Sequence, residues 1–198
     1  MAANIARMKL VVFCSGYGSN FQAIIDAVKK KKIKAKITLM VCDQPKAFAI
    51  ERAKKAKIPL VVLSPRLFKT RESYEKLLVT ILKAQAIDLV ILAGFMRILS
   101  PYFLKAYNKR ILNIHPSFLP AFKGGHAIAD AFQAGVRETG VTVHVVTQKV
   151  DSGPIVIQRA VKILKNDTLE SLETRIHKVE HALYPQAINQ YIQQIRRK

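Results

Sequence analysis

Short apolar runs alternate with longer amphipathic stretches through the first 114 residues of the chain. The apolar runs have the length and composition of buried strands, and they are Leu10–Cys14, Lys36–Cys42, Leu60–Leu63, Leu89–Leu92 and Ile111–Ile114. The stretches between them have helical periodicity, and they are Asn20–Lys30, Ala47–Ala56, Arg71–Gln85 and Tyr102–Tyr107. Strands that are apolar along their whole length and alternate with helices are typical of a parallel sheet covered on both faces. We therefore predict an α/β fold built on a Rossmann-like open sheet that is mostly parallel.

The pattern changes after Gly140, where valines alternate with more polar residues up to Val146. A second strand-like run, Ile155–Val161, follows the turn residues Asp151–Pro154. These two runs predict a pair of strands that extends the sheet in the antiparallel sense. A long amphipathic helix is expected over Thr168–Ile195, with Asp167 as its N-cap and Glu170 three residues on, which is a variant of the capping box.

The length and composition indicate one globular domain. The chain has 198 residues, of which 50% are hydrophobic, so a sizeable core is possible and disorder is excluded despite a formal net charge of +20. No apolar run approaches the roughly 18 residues of a membrane span, and Met1–Lys9 lacks the long apolar segment of a secretory signal. Two cysteines, Cys14 and Cys42, do not make a disulfide framework. We expect a cytoplasmic protein, a monomer or a homodimer, that does not associate with a membrane.

The positive charge is concentrated in one segment. The range Lys29–Lys57 holds 11 basic and 2 acidic residues, a net +9. Such a patch has the electrostatic character that binding to a phosphate backbone requires. However, the run Lys29–Lys32 has no interleaved aromatic residue on which a base could stack, and lysines suit the C-terminus of a helix. The segment favours a solvated helix end, and we expect no specific nucleic-acid partner.

The loop Ser15–Asn20 follows the first strand and contains two glycines. Glycines let a backbone approach a ligand closely, and the N–H groups at the start of the following helix attract an anion. A dinucleotide-binding motif would have a third glycine where Phe21 stands, although Asp43 at the end of the second strand offers a ligand for a ribose. Taken alone, the loop indicates a phosphate site or a capped tight turn.

A second group of candidate functional residues lies at the end of the fifth strand. Asn113 and His115 are two residues apart, so they project from the same side of a strand, at the end where open α/β sheets bind ligands. A side-chain amide can donate to an oxyanion while an imidazole moves a proton, and acyl transfer needs both tasks. Asp151 is the carboxylate best placed in the sequence to orient that imidazole. Because no Ser or Cys in an elbow motif accompanies these residues, direct transfer between two bound substrates fits better than a covalent acyl-enzyme.

Together these motifs resemble those of the formyltransferases that use 10-formyltetrahydrofolate, most specifically the phosphoribosylglycinamide formyltransferase family. The resemblance spans nearly the whole chain and rests on Asn113-x-His115-Pro-Ser-x-Leu-Pro, Asp151-x-Gly-Pro, Gly16-x-Gly18-Ser19-Asn20, Gly94–Ser100 and Glu180–Pro185. It implies transfer of a formyl group from 10-formyltetrahydrofolate to the amine of glycinamide ribonucleotide in de novo purine biosynthesis, with no metal and no covalent enzyme intermediate. Residues 1–198 would then form a single formyltransferase domain, with a phosphate-binding half over 1–114 and a folate-binding and catalytic half over 115–198.

The resemblance also implies roles for individual residues. The residues that match the catalytic set of the family are Asn113, His115 and Asp151. The residues that match the loop for the substrate phosphate are Gly18, Ser19 and Asn20, and Glu180 matches a contact to the glycinamide substrate. The residues that match the folate site are Arg71, Met96, Arg97, Ile98, Leu99, Asn113, Thr147, Gln148, Lys149 and Val150.

Several alternatives remain open from the sequence. His177 and His181 are four residues apart on the predicted helix, a spacing that suits zinc, but no third ligand is evident and we interpret them as packing or substrate-side residues. His126 and His144 match no motif. Methionyl-tRNA formyltransferases share the Asn-x-His and Asp chemistry but are expected to carry a second, tRNA-binding domain. Formyltetrahydrofolate deformylases use water as the acceptor and usually carry an N-terminal regulatory domain. A nucleic-acid-binding module would account for the charge and leave the candidate functional residues without a role.

Overall fold

The computed structural model of the protein describes residues 7–197, in which strands and helices alternate as the sequence predicts. The strands are β1 (Met8–Cys14), β2 (Ala35–Cys42), β3 (Leu60–Val62), β4 (Leu89–Leu92), β5 (Ile111–His115), β6 (Glu138–Val145) and β7 (Ile155–Lys162). The α-helices are α1 (Ser19–Lys29), α2 (Ala49–Lys55), α3 (Arg71–Ala84), α4 (Pro101–Ala106), α5 (Ala127–Gln133) and α6 (Leu169–Arg196). The sequence prediction has no counterpart for α5 or for the short 3₁₀ helix Pro65–Leu67.

All seven of these strands belong to one sheet, in the order β3-β2-β1-β4-β5-β6-β7. The strands β1 to β5 are parallel, β6 pairs antiparallel with β5, and β7 pairs antiparallel with β6. The predicted mostly parallel open sheet with an antiparallel extension is therefore confirmed. The strand β6 begins at Glu138, which is three residues before the alternation of valines becomes visible in the sequence.

Helices cover both faces of the sheet. Alternate residues of each central strand point to opposite faces, so each strand contributes to two cores. In β1, Leu10 and Val12 pack in a core with α1, α2 and α6, whereas Val11 and Phe13 pack in a second core with α3 and α4. All four side chains have no exposed surface. A strand buried on both sides reads as a continuous apolar run, which is why β1 shows no alternation in the sequence.

The long helix α6 is fixed to two central strands, β4 and β5. The side chain of Tyr184 has no exposed surface, and its hydroxyl donates to the carbonyl oxygens of Leu92 at 2.8 Å and Leu112 at 3.2 Å. A buried tyrosine hydroxyl needs such partners, so these contacts define where the helix crosses the sheet. Within residues 7–197, no helix has the length and apolar composition needed to cross a membrane.

The predicted cap of α6 is wrong by one residue. The N-cap is Thr168, whose side-chain oxygen accepts the N–H of Ser171 at 3.2 Å, while the Ser171 hydroxyl accepts the N–H of Thr168 at 3.0 Å. Asp167 instead accepts two hydrogen bonds of 2.6 Å from Arg175, which hold the pKa of its carboxyl well below the usual range. Thr168 caps the helix because the reciprocal bonds with Ser171 complete a capping box, and Asp167 is engaged elsewhere.

Candidate active site

The carboxyl ends of the central parallel strands open into one cavity of about 320 Å³. Its walls come from the segment after β4, the end of β5 and the loop between β6 and β7. One part of the wall is apolar, and another carries the side chains of Asn113, His115, His144 and Asp151. A concave site of this size with a few convergent polar groups is typical of small-molecule binding.

Asp151 lies between two imidazoles in this cavity. Its Oδ2 is 3.5 Å from Nδ1 of His115, and its Oδ1 is 3.5 Å from Nε2 of His144. The same nitrogen of His144 is 3.3 Å from Nδ2 of Asn113, because these two residues are directly opposite each other in the β5–β6 pair. The structure thus brings together the three residues predicted to be catalytic and adds His144 to them.

Both ring nitrogens of His115 face oxygen atoms. Nε2 is 2.8 Å from the carbonyl oxygen of Phe122, and Nδ1 faces the carboxylate of Asp151. A neutral imidazole has one N–H, so it can satisfy only one of these acceptors, whereas the protonated ring satisfies both. The His115 side chain is buried, so these two oxygens are the neighbours of its ring nitrogens.

The backbone around Asp151 is held in an uncommon conformation. Asp151 has a φ of 44°, in the left-handed region, and its Oδ2 accepts the N–H of Gly124 at 3.0 Å. Two residues on, a Cβ at Gly153 would lie 1.8 Å from the carbonyl oxygen of Val145, so only glycine fits there. The loop therefore presents the carboxylate in one direction, towards β5 and β6.

The environment of Asp151 keeps its carboxyl group ionised. Burial raises the pKa of Asp151, but the hydrogen bond with His144, the N–H of Gly124 and the charge of His115 lower it by more, so the pKa lies below the ordinary value. At neutral pH the site therefore contains a fixed negative charge beside two imidazoles.

The loop after β1 leaves the first turn of α1 without a side-chain cap. Gly18 is the N-cap, with a φ of 72°, and no side chain bonds the N–H groups that follow it. The first N–H groups of a helix have no partner within the helix, and the helix dipole adds positive potential at this end. The start of α1 is therefore suited to an anion such as a phosphate.

We expect Gly18→Ala to destabilise the protein and to weaken its binding of a phosphorylated ligand. A Cβ at Gly18 would lie 2.8 Å from Cβ of Ala49, and the left-handed conformation alone costs a residue other than glycine about 1–2 kcal/mol. Gly16→Ala is the matched control, because a Cβ at Gly16 meets no atom within 4 Å. Chemical unfolding and ligand titration of both variants measure the difference, and equal behaviour of the two would contradict a specific requirement at Gly18.

The helix α6 brings Glu180 to this loop. Glu180 is buried, and its Oε2 accepts Nδ2–H of Asn20 at 3.0 Å and lies 2.8 Å from Nδ1 of His177. This hydrogen bond to Glu180 raises the pKa of His177. The other side-chain atom of Asn20, Oδ1, is buried without a partner among the described residues. Glu180 is one helical turn before Tyr184, so the residue that fixes α6 to the sheet also sets the position of this carboxylate.

Hydrogen bonds connect the loop Ser15–Asn20 to the cavity. The N–H of Ser15 donates to the carbonyl oxygen of Gly94 at 3.0 Å, and the Ser15 hydroxyl accepts the N–H of Met96 at 3.0 Å. Gly94 and Met96 line the cavity. The two sites therefore lie side by side at one edge of the sheet.

The residues predicted for the folate site divide into two groups. Those that line the cavity are Met96, Arg97, Ile98, Leu99, Asn113, Thr147, Gln148 and Val150. Arg71 and Lys149 are outside this lining: the Arg71 guanidinium donates to the carbonyl oxygen of Ile98 at 3.4 Å, and the carbonyl of Lys149 accepts from the Thr147 hydroxyl at 3.2 Å. Arg71 therefore contacts a lining residue, and Lys149 stands between two lining residues in the sequence.

Sequence reasoning missed His144. It is buried, faces Asn113 across the β5–β6 pair and contacts Asp151. The alternation after Gly140 does separate the valines from Thr142 and His144. Placing His144 opposite Asn113 requires the pairing register of β5 and β6, in which these residues are about thirty positions apart in the sequence. The alternation of residues does not give this register.

The structure bears on two alternatives that the sequence leaves open, a ribose contact at Asp43 and a metal site at His177 and His181. Asp43 is 2% exposed, so its carboxylate is not presented to a ribose at the surface. The rings of His177 and His181 are stacked with their centroids 6.4 Å apart, and His177 bonds Glu180. Across residues 7–197, no group of three or more His, Cys, Asp or Glu side chains is arranged to hold a metal ion.

The open α/β sheet groups an amide, imidazoles and a carboxylate at its carboxyl edge, beside a helix start suited to an anion, and this arrangement is suited to group transfer. The family model described as formyl transferase matches residues 8–188 of the chain. The protein belongs to the formyl transferase family.

Named relatives are similar over nearly the whole chain. The phosphoribosylglycinamide formyltransferase of Bacillus subtilis (strain 168) is 44% identical over 184 residues, which are 93% of this chain and 94% of the relative. The crystal structure of phosphoribosylglycinamide formyltransferase from Bacillus halodurans has 46% sequence identity and a TM-score of 0.89, with coverage of 91% of this chain and 93% of that one. The trifunctional purine biosynthetic protein adenosine-3 of Drosophila melanogaster is 44% identical over 92% of this chain, which spans 14% of that longer protein.

Proposed function

We propose that the protein transfers the formyl group of 10-formyltetrahydrofolate to the amine of glycinamide ribonucleotide, a step of de novo purine biosynthesis. The observation that carries this proposal is the group of Asn113, His115, His144 and Asp151 at one end of the cavity, next to an anion site at the start of α1. The names of the Bacillus subtilis and Bacillus halodurans relatives support the same reaction.

Each substrate has a subsite with suitable chemistry. The folate fits the cavity, since apolar side chains such as Met96, Ile98 and Val150 line it beside the polar group. The ribonucleotide phosphate fits the N–H groups that follow Gly18, and its glycinamide part extends towards Glu180. The division into a phosphate-binding half over 1–114 and a folate-binding and catalytic half over 115–198 is part of this proposal.

The polar group has the donors and the charge that formyl transfer requires. When bound, 10-formyltetrahydrofolate supplies an activated formyl group. As the amine attacks, Asn113 donates a hydrogen bond to the formyl oxygen, where negative charge develops, and the positive charge of the protonated His115 stabilises it. The Asn113 amide has two N–H groups and lines the cavity, so one of them is available for this oxygen. Asp151 stabilises the protonated His115 and accepts the proton that the amine loses, directly or through water. The bond between the formyl carbon and the folate nitrogen then breaks, and that nitrogen takes up the proton as tetrahydrofolate leaves.

We also propose that no covalent enzyme intermediate forms. The cavity lining contains no Ser or Cys. Cys14 and Cys42, the two cysteines of the chain, are buried, and burial raises the pKa of both thiols, which makes them poor nucleophiles.

The basic segment Lys29–Lys57 contributes no residue to the cavity lining. Its location at the end of α1, along β2 and on α2 is consistent with a solvated face. We propose that the protein acts on two anionic small molecules in the cytoplasm, as a monomer or a homodimer, without a specific nucleic-acid partner.

A comparison of acceptors tests the proposed function. The purified protein is given 10-formyltetrahydrofolate with glycinamide ribonucleotide, with methionyl-tRNA or with water alone, and formylated product and free formate are quantified. We expect rapid transfer to glycinamide ribonucleotide only. Steeply salt-dependent binding of tRNA without transfer to glycinamide ribonucleotide would contradict the proposal.

A further inference from the structure

Arg52 on α2 bridges the two parts of the anion site. Its Nε donates to the carbonyl oxygen of Tyr17 at 3.0 Å, and its Nη1 donates to Oε1 of Gln22 at 3.2 Å. Tyr17 is in the loop before α1, and Gln22 is in the first turn and a half of that helix. One guanidinium therefore connects the loop backbone to the helix whose first N–H groups have no side-chain cap.

Two exposed aromatic rings also contact the same guanidinium. The rings of Tyr17 and Phe48 are stacked, with centroids 5.0 Å apart and an interplanar angle of 11°. The central carbon of the Arg52 guanidinium is 4.6 Å from the Tyr17 centroid and 4.9 Å from the Phe48 centroid, which is within cation–π distance. Tyr17 and Phe48 are 66% and 49% exposed, so burial of the rings does not account for this stack.

The rest of α2 also supports the loop. The N–H of Ala49 donates to the carbonyl oxygen of Gly16 at 3.1 Å, and the side chain of Ala49 occupies the space beside Gly18. The loop has no side-chain cap of its own, and these contacts from α2 add to those of Ser15 with the segment after β4 and of Asn20 with Glu180. Among these contacts, those of Arg52 reach both sides of the turn.

We propose that Arg52 is a positioning residue for the phosphate of the acceptor substrate. The inference rests on the proposed function, and it assigns one charge of the basic segment to the reaction. Arg52 acts through the Tyr17 carbonyl and Gln22, and it holds the turn so that the N–H groups after Gly18 converge on the phosphate. The planar guanidinium donates in two fixed directions and stacks on aromatic rings, whereas a lysine ammonium is a point charge that cannot do both.

The variants Arg52→Lys and Arg52→Gln test this role. We expect both to raise KM for glycinamide ribonucleotide by about 10-fold, the effect of losing about 1.4 kcal/mol of binding. We expect kcat and KM for the folate to change by less than about 2-fold, because the cavity is not altered. Phe48→Leu removes the ring stack and keeps both hydrogen bonds of Arg52, so we expect a smaller rise in the same KM. The control Lys55→Gln removes one exposed positive charge from the same helix and is expected to behave as the wild type.

The results distinguish a positioning role of Arg52 from an effect of its charge alone. They also distinguish a failure of this role from a failure of the proposed function. A wild-type KM in Arg52→Lys would overturn the proposal, because charge alone would then be sufficient. A fall in kcat with an unchanged KM would overturn it as well.

Calorimetric titration with ribose 5-phosphate measures the anion site without turnover, and we expect Arg52→Lys to bind this probe about 10-fold more weakly. If the wild type does not formylate glycinamide ribonucleotide but this difference in binding is observed, the proposed function fails and the role of Arg52 stands. If Arg52→Lys binds the probe as tightly as the wild type, the role of Arg52 fails.

Discussion

Replacing Asp151 with Asn is expected to lower kcat about 1000-fold while the protein remains folded. The carboxylate lies 3.5 Å from Nδ1 of His115, and its negative charge stabilises the protonated form of that ring. The amide has the same shape without the charge, so the stabilisation of the imidazolium and the proton acceptor are both lost. Asn also tolerates the left-handed backbone of this position, where φ is 44°.

Steady-state kinetics and thermal unfolding of the variant measure this effect. Asp130→Asn is the matched control, because Asp130 is exposed on α5 and the change removes the same charge. We expect the control to retain wild-type turnover. Near-normal turnover in Asp151→Asn would show that the carboxylate is not required, and the proposed mechanism would be wrong.

Replacing Asn113 with Ala is expected to lower kcat by about 100- to 1000-fold, the range that follows from the loss of one oxyanion donor. The Asn113 amide is on β5 and lines the cavity, so one of its N–H groups is available to the formyl oxygen. The backbone pairing of β5 with β4 and β6 does not depend on this side chain. The loss is therefore expected in turnover and not in folding.

The effect of Asn113→Ala separates chemistry from binding when kcat and both KM values are measured. We expect the KM values to change much less than kcat, because an oxyanion donor acts mainly in the transition state. Asn108→Ala, at an exposed position between α4 and β5, serves as the control for loss of an asparagine amide. A variant of Asn113 that loses stability to the same degree as activity would contradict the assigned role.

Most of the fold can be predicted from the sequence, because the central strands are buried on both faces. Strands such as Leu10–Cys14 and Leu89–Leu92 are continuous apolar runs, and the intervening α3 shows a clear helical period. The antiparallel pair was predictable from the alternation after Gly140. The sequence places the cap of α6 one residue early, because Asp167 and Thr168 are both good capping residues. The bonds of Thr168 with Ser171 and of Asp167 with Arg175 decide between them.

The site is predictable where its residues share one strand or one loop, and less so where they meet through tertiary packing. Asn113 and His115 follow from spacing alone, since they lie two residues apart on β5. His144 joins them through the register of two antiparallel strands. Arg52 reaches the loop after β1 from a helix that follows β2, and its guanidinium direction is set by contacts with Tyr17 and Gln22. The residues around His144 and Arg52 in the sequence do not predict where either side chain lies.

The fate of a labelled formyl group tests the central claim most directly. The protein is incubated with glycinamide ribonucleotide and 10-formyltetrahydrofolate that carries an isotopic label in its formyl group. We predict that the label appears on the amine of glycinamide ribonucleotide, with one equivalent of tetrahydrofolate formed for each formyl group and no label bound to the protein. Release of the label as formate at the same rate with or without glycinamide ribonucleotide, or an unlabelled ribonucleotide after complete incubation, would contradict the account.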